Sequence, residues 1–346
     1  MKVNARTKPS KRARSTQLRA LFTCVGRRVE LLNAFTQAGK RLGIRLVIHA
    51  ADASRLAPAL RKADKPHVLP RLSSNGYSNA LQDLVRREKI DLLVPLIDLE
   101  LLAVAAAADR LAELGCCALI SSERVVRTCR DKMATFQALR TAGIDTPDTW
   151  LLEATVTRTR HSFPYFLKPR SGSAAMGNFV VRNLDELLLL GRRVHEPIVQ
   201  EFVEGTEHTL DVYTGFDGKP RCVVPRRRLE VRGGEVSKAL VVKDPALMAV
   251  GRSVAEMLGE CRGVVTIQCI ATPQGRIRVI EVNPRFGGGV PLAIKAGADF
   301  PRWILSELIG RKPRIDAMGF RDDVAMLRFD DSVFVPKASA LIQPDV

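Results

Sequence analysis

Between residues 19 and about 122, short apolar runs alternate with stretches whose apolar positions recur every three or four residues. The runs at 20–23, 44–49, 92–96 and 117–120 read as strands, and 29–38, 77–88 and 99–114 carry the helical period. Such alternation predicts a parallel, doubly wound sheet that binds ligands at the carboxyl ends of its strands. Asp98 and Glu100 directly follow the run at 92–96, at that edge. Two readings stay open for them: holding the amino group or ammonium of a substrate, or capping a helix and charging its first turn. The first strand-to-helix turn, 24–28, has one glycine, Gly26, so the glycine fingerprint of a dinucleotide site is absent. A nicotinamide or flavin enzyme is therefore disfavoured.

A second unit begins near Val125. Asp131 opens a helical stretch containing Lys132 that stops at Gly143, with Pro147 beyond. The apolar run 165–169 ends in Lys168-Pro169 and enters a loop of small residues at 170–177 that includes Gly172 and Gly177; a strand follows at 178–181. Small residues let a backbone approach a phosphate chain and let the loop close as a lid. A flexible hairpin without ligand is the plainer reading of that loop alone, and no G-x-x-x-x-G-K-[ST] pattern is present. Two strands at 197–212 break at Glu204-Gly205; 200–203, with Glu201 and Val203, offers backbone groups to an adenine edge, and Glu207 an acceptor for ribose hydroxyls. The block 225–238 is a cationic strand carrying Arg228, then a turn and Lys238. Asp244-Pro245 caps a helix whose Leu247, Val250, Val254 and Met257 share one face and which ends at Gly259, a structural element.

The runs 264–270 and 276–283 flank the turn Thr272-Pro273-Gln274-Gly275, which predicts an antiparallel hairpin. Counting from the turn pairs Gln268 with Val279 and Thr266 with Glu281, so Gln268, Glu281 and Asn283 share one face while Ile280 and Val282 enter a core. Hard oxygen ligands on one surface suit Mg²⁺, which uses one or two protein oxygens and completes its octahedron with phosphates and water. Arg285 follows as a fixed cation within reach of the same phosphates. A polar edge strand is the alternative for an isolated Glu-x-Asn. The triplet Gly287-Gly288-Gly289 before Val290-Pro291 offers backbone N–H groups to a carboxylate or acyl phosphate.

The formal net charge of +17 invites a nucleic-acid reading, but residues 1–19 hold seven lysines and arginines and no acid, leaving +10 for the rest. That segment reads as a disordered basic arm. With 5% aromatic residues the body lacks a base-stacking pattern, and its surplus arginine fits phosphate-bearing small molecules. The seven cysteines include no C-x-x-C spacing and read as reduced, in a cytoplasmic setting. No apolar stretch has membrane-spanning length.

Taken in this order and spacing, Asp131-Lys132, the Lys168 strand with its loop, the 200–211 block and the Glu281–Arg285 stretch resemble the ATP-grasp superfamily, specifically stand-alone relatives of the carbamoyl-phosphate synthase large chain. The resemblance covers about 20–330. It implies an α/β and α+β chain: a basic arm (1–18), a Rossmann-like parallel-sheet domain (19–124), an ATP-grasp fold of two α+β subdomains (125–315, with a small lid at about 145–203), and a C-terminal strand and tail (316–346). It further implies that Lys132 and Lys168 contact nucleotide phosphates, that Gly172 and Gly177 belong to the loop over them, and that Glu201 and Val203 form the adenine hinge with Glu207 at the ribose. Gln268, Glu281 and Asn283 would hold Mg²⁺, for which Mn²⁺ can stand in, and Arg285 would lie beside the transferred phosphoryl group. Gln268 departs from the glutamate of many relatives and removes one negative charge. Arg228 and Lys238, with Gly288 and Gly289, are the candidates for gripping the substrate anion, a charged surface being the alternative for the two cations. The implied activity is ATP-dependent activation of a carboxylate as an acyl phosphate and its capture by an amine or other nucleophile. One such module without a second copy disfavours carbamoyl phosphate synthesis. The partners implied are a small-molecule carboxylate and amine, with a second copy of the chain as a candidate, and neither membrane nor nucleic acid. A catalytically silent ATP-binding or regulatory module is the rival reading, and a nucleic-acid-binding protein the third.

Overall fold

The computed structural model describes residues 17–172, 176–336 and 338–341. The basic arm expected at 1–18 lies outside the described residues as far as 16, and Gln17 and Leu18 already belong to the first strand.

Strands β1 (Gln17–Thr23), β2 (Arg45–Asp52), β3 (Lys65–Val68), β4 (Leu92–Pro95) and β5 (Cys117–Ala118) form a parallel sheet in the order β3-β2-β1-β4-β5. The period-2 rule sends neighbours on β1 to opposite faces. Phe22 packs with Leu31, Phe35 and Ile48, and Leu21 packs with Tyr77, Leu81, Leu93 and Leu101. Helix Val29–Arg41 covers one face with a stripe of Leu31, Leu32, Phe35 and Ala38, and its ends carry Glu30 and Lys40-Arg41, charges that complement its dipole. Strand β3 has no counterpart in the sequence pattern, because Lys-Pro-His-Val is short, polar and pairs on one side only. The single helix expected at 99–114 is two, Asp98–Ala106 and Ala108–Glu113, meeting at Ala107.

The second unit contains two antiparallel sheets. The smaller joins β6 (Thr149–Leu151), β7 (Tyr165–Pro169), β8 (Phe179–Val181) and β9 (Pro197–Glu201) in the order β6-β9-β7-β8, over a core of Tyr165, Leu167, Val181, Leu187 and Val199. The larger joins β10 (Thr206–Thr214), β11 (Pro220–Arg232), β12 (Glu235–Val241), β13 (Gly263–Ala271), β14 (Ile277–Asn283) and β15 (Ala325–Leu327) in the order β14-β13-β10-β11-β12-β15. One face of it packs Leu210, Val212, Val265, Ile267, Val279 and Val282 against helix Pro245–Leu258, which ends at Gly259 with φ +62° as the sequence predicts. Alternation therefore leaves Glu207, Thr209, Asp211, Thr266, Gln268, Glu281 and Asn283 on the opposite face.

The β13–β14 hairpin forms as expected but in a different register. Gln268 pairs with Glu281 and Thr266 with Asn283, because a bulge between Gln268 and Cys269 carries the pairing from Glu281 to Val279. Ile280 is the extra residue, so Val279 and not Ile280 joins Val282 in the core. The shift is two residues on β14, which preserves the shared face of Gln268, Glu281 and Asn283.

Candidate active site

Lys132, Gly172, Glu281 and Asn283 line one cleft together with Asp98 from the parallel sheet. Each is set there by a local device. Asp131 is the N-cap of helix Lys132–Thr141: its Oδ1 accepts from the Met133 and Ala134 amides at 2.9 and 3.1 Å, and its other oxygen pairs with Arg170 Nη2 at 2.6 Å. Lys132 is thereby fixed at the first helical position, where its Nζ donates to the Gly172 carbonyl at 3.2 Å and lies 4.0 Å from Glu281 Oε1. Gly172 and Gly177 both close on Pro169: a Cβ on Gly172 would meet Pro169 Cγ at 3.2 Å, and Gly177 has φ +74°.

Lys168 comes from β7 and is buried, with 4% of its surface exposed. Its Nζ donates to Gln200 Oε1 at 2.9 Å and to the carbonyl of the bulged Ile280 at 3.4 Å. Gln200 is itself held by Thr149, since its Nε2 donates to the Thr149 hydroxyl at 2.9 Å. Burial lowers the Lys168 ammonium to about 8, with Glu281 opposing and Lys132 reinforcing the shift. Its direct partners are neutral oxygens, so the cation stands without a contacting carboxylate among the described residues.

Arg285 Nη2 reaches Asp98 Oδ2 at 2.6 Å across the two units, and both side chains are largely buried. The cap of the helix that follows is Ile97, without a side-chain capping bond, so Asp98 serves this contact and not the capping alternative. Glu100 stays outside the cleft. It is fully buried, accepts from the Tyr77 hydroxyl, and burial raises its carboxyl above the usual range.

The remaining expected residues fall into three groups. Glu207 and Arg228 form a pair at 2.9 Å; burial raises the Glu207 carboxyl, Arg228 opposes and Glu281 adds to the shift. Glu201 ends β9 with its carboxylate on Arg278 at 2.5 Å and on the Asp148 amide at 3.3 Å, and Val203 follows, partly exposed. Lys238 does not line the cleft: a bulge between Arg228 and Glu230 sets it opposite Glu230, and its Nζ lies 2.6 Å from Glu230 Oε2.

Gly288 and Gly289 meet arginines that the sequence alone did not single out. Arg328 Nη2 donates to the Gly288 carbonyl at 3.2 Å, and Arg28 and Arg328 both contact Glu235, at 3.4 and 3.2 Å. A Cβ on Gly288 would lie 2.7 Å from Arg28 Nη1, and one on Gly289 would overlap Arg226. Arg226 is buried in a pair with Asp211, Nε to Oδ2 at 2.6 Å and Nη2 to Oδ1 at 3.1 Å, and its Nη1 is a buried donor without a partner. The signal for Asp211 was present: Glu207, Thr209 and Asp211 stand at every second position of one strand, a polar face on a sheet whose other face is apolar.

The chain thus has a parallel-sheet domain followed by a unit of two antiparallel sheets, with Lys132, Glu281 and Asn283 lining one cleft. Residues 20–120 match the family described as PylC-like, N-terminal domain, and residues 129–289 match the ATP-grasp domain. The chain carries an ATP-grasp domain behind a PylC-like N-terminal domain. A D-alanine–D-alanine ligase from Bacillus anthracis is 31% identical over 110 residues, 29% of this chain, and the match spans about a third (34%) of that relative's length. Among solved structures, the biotin carboxylase domain of the Hydrogenobacter thermophilus 2-oxoglutarate carboxylase, determined with MgADP, ADP and bicarbonate, aligns with TM-score 0.72 and 17% identity over 88% of this chain and 73% of that one. An L-amino acid ligase from Bacillus licheniformis aligns with TM-score 0.65 and 20% identity over 84% of this chain and 74% of that one. At such identities these two likenesses establish the fold. Among the described residues no helix is long and apolar enough to cross a membrane.

Proposed function

We propose that the protein is an ATP- and Mg²⁺-dependent ligase that activates a carboxylate as an acyl phosphate and joins it to an amine, with amino acids as the carboxylate class. The observation that carries this reading is the gathering of Lys132, Gly172, Glu281, Asn283 and Asp98 around one cleft, with Arg285 held by Asp98.

The residues present suit both a nucleotide and a metal ion. Lys168 is a desolvated cation whose direct partners are neutral, so a phosphate oxygen would supply its missing counter-charge. Glu281 is 4.0 Å from its nearest cation, which leaves carboxylate lone pairs for a hard ion, and Asn283 and Gln268 add neutral oxygens. Mg²⁺, when bound, neutralises phosphate charge. Lys132 and Lys168 bind phosphate oxygens; Gln200 keeps the Lys168 ammonium in place; Asp98 orients Arg285 toward the charge that develops on transfer. Gly172 and Gly177 let the loop backbone close on Pro169, where it would cover the phosphate chain, and Glu201, Val203 and Glu207 would receive the nucleoside. Phosphoryl transfer depends on positioned charge more than on covalent help, which agrees with this inventory.

Amino acids are favoured by the second cluster. Arg28 and Arg328 beside Gly288 form a cationic cradle for an α-carboxylate, with Glu235 between them as acceptor for an ammonium. The names of the relatives, D-alanine–D-alanine ligase and L-amino acid ligase, agree with that class. Incubating the purified chain with ATP, Mg²⁺ and pools of amino acids tests the reading through phosphate release. Release above the ATP-only background with at least one pool, lost in Arg328→Ala, supports it; release that no pool stimulates contradicts it.

A further inference from the structure

His49, His67 and Glu88 come together on the N-terminal sheet, away from every residue used above. His49 is in β2 with 3% of its surface exposed, His67 is in the edge strand β3, and Glu88 is the last residue of helix Tyr77–Glu88. That helix returns the chain from the carboxyl edge to the start of β4, so Glu88 lies at the end of the sheet opposite Asp98. His49 Nδ1 and His67 Nε2 are 2.9 Å apart, and their rings are nearly parallel, at 5° with centroids separated by 5.2 Å. One nitrogen from each ring and a Glu88 carboxylate oxygen all lie within 4.8 Å of one another. Three sequence-distant donors thus lie close together.

We propose that these three residues bind a divalent transition cation of the Zn²⁺ class. Two imidazoles and one carboxylate form a borderline donor set, which suits Zn²⁺, Co²⁺ or Ni²⁺ and not the hard Mg²⁺ assigned to the Glu281 cleft. Two metal–nitrogen bonds of about 2.0–2.1 Å at a tetrahedral angle hold the nitrogens about 3.3 Å apart. At 2.9 Å, with the ring planes at 5°, the two nitrogens point at each other, so a metal needs the pair opened by a few tenths of an ångström and each ring turned by roughly 35°, a side-chain rotation. Three protein ligands leave a fourth position for water. His67 and Glu88 are partly exposed, so an ion can enter. Arg87 Nε donates to Glu88 Oε1 at 3.1 Å and orients that carboxylate. The consequence is mechanical: β3 pairs with the sheet along one edge over four residues, and the ion would tie it both to β2 and to the helix end. The competing arrangement is two neutral imidazoles sharing one N–H···N hydrogen bond, with no metal.

The test uses the tag-free full chain, stripped with chelator and held in saturating Mg²⁺ so that the Glu281 cleft is not available to the probe ion. Zn²⁺ is titrated calorimetrically, and Co²⁺ by its visible absorption, into the parent, His67→Gln and Glu88→Gln. The proposal predicts one Zn²⁺ per chain, a tetrahedral Co²⁺ spectrum, affinity at least tenfold weaker in each variant, and a rise in melting temperature with Zn²⁺ that the variants lose. Glu88 is on the surface, so its variant keeps the parent's circular dichroism and metal-free melting temperature. Equal Zn²⁺ affinity in all three proteins, or no stoichiometric binding to the parent, overturns the proposal in favour of the hydrogen-bonded pair.

Discussion

Asp98 and Arg285, separated by 187 positions, meet at 2.6 Å, one at the carboxyl edge of the parallel sheet and the other just beyond the strand that carries Glu281 and Asn283. This contact joins the two units at the cleft and fixes the direction of a guanidinium whose Nε is buried without a partner. A hydrogen bond between two charged groups in such a setting contributes about 1.5–3 kcal/mol. A double-mutant cycle with Asp98→Asn and Arg285→Lys, read by denaturant unfolding, is expected to give a coupling energy in that range. A coupling near zero would mean the pair is incidental.

The buried pair Asp211–Arg226 makes a sharper stability prediction. Asp211→Ala leaves an arginine with 1% exposure and no counter-ion, and breaking such a pair costs about 3–5 kcal/mol. The unfolding midpoint in denaturant should fall accordingly without change in slope. A loss below about 1 kcal/mol would show that Arg226 finds another partner.

Lys168→Met removes a cation and keeps most of the side-chain volume. The account expects nucleotide affinity to weaken at least tenfold and turnover to fall by about 10²-fold or more, since a group that stabilises developing charge has no apolar substitute. Calorimetric titration of ATP in Mg²⁺ reads the first and phosphate release the second. Affinity and turnover equal to the parent's would remove Lys168 from the site.

The lowered Lys168 value gives the pH dependence a sign. Below about 8 the ammonium is present in the free protein; above it the side chain is neutral, and phosphate binding must draw a proton from solvent. Nucleotide affinity should weaken toward about tenfold per pH unit above 8, with proton uptake visible as a buffer-dependent binding enthalpy. Stability follows the opposite course. The unfolded lysine stays protonated up to about 10.5, so between 8 and 10.5 the unfolded state holds the extra proton and this group's contribution rises with pH. Affinity flat from pH 7 to 10 would contradict the assignment.

Much of this was legible in the chain. The parallel sheet could be read from strand–helix alternation, and the hairpin with Gln268, Glu281 and Asn283 from its turn and its polar period. The bulge at Ile280 was not, because a one-residue insertion has no compositional mark, yet it turns the carbonyl of Ile280 to Lys168. β3 escaped because an edge strand with proline and lysine lacks the apolar signal. Pairings between distant segments, Asp98 with Arg285 or Arg328 with Gly288, are set by packing of whole units and leave no local trace. Lys238 shows the converse: its place in the block 225–238 made it a candidate, and a bulge turned it to Glu230.

Carboxylate activation itself is tested most directly by following oxygen. With an amino acid that stimulates turnover, labelled with ¹⁸O in its carboxylate, acyl-phosphate formation and capture by an amine carries one ¹⁸O into the inorganic phosphate released. The account predicts singly labelled phosphate from the parent and none from Glu281→Ala, which removes the charged ligand proposed for Mg²⁺ while keeping the fold. Unlabelled phosphate accompanying product formation by the parent, or labelled phosphate from Glu281→Ala at the parent's rate, would contradict it.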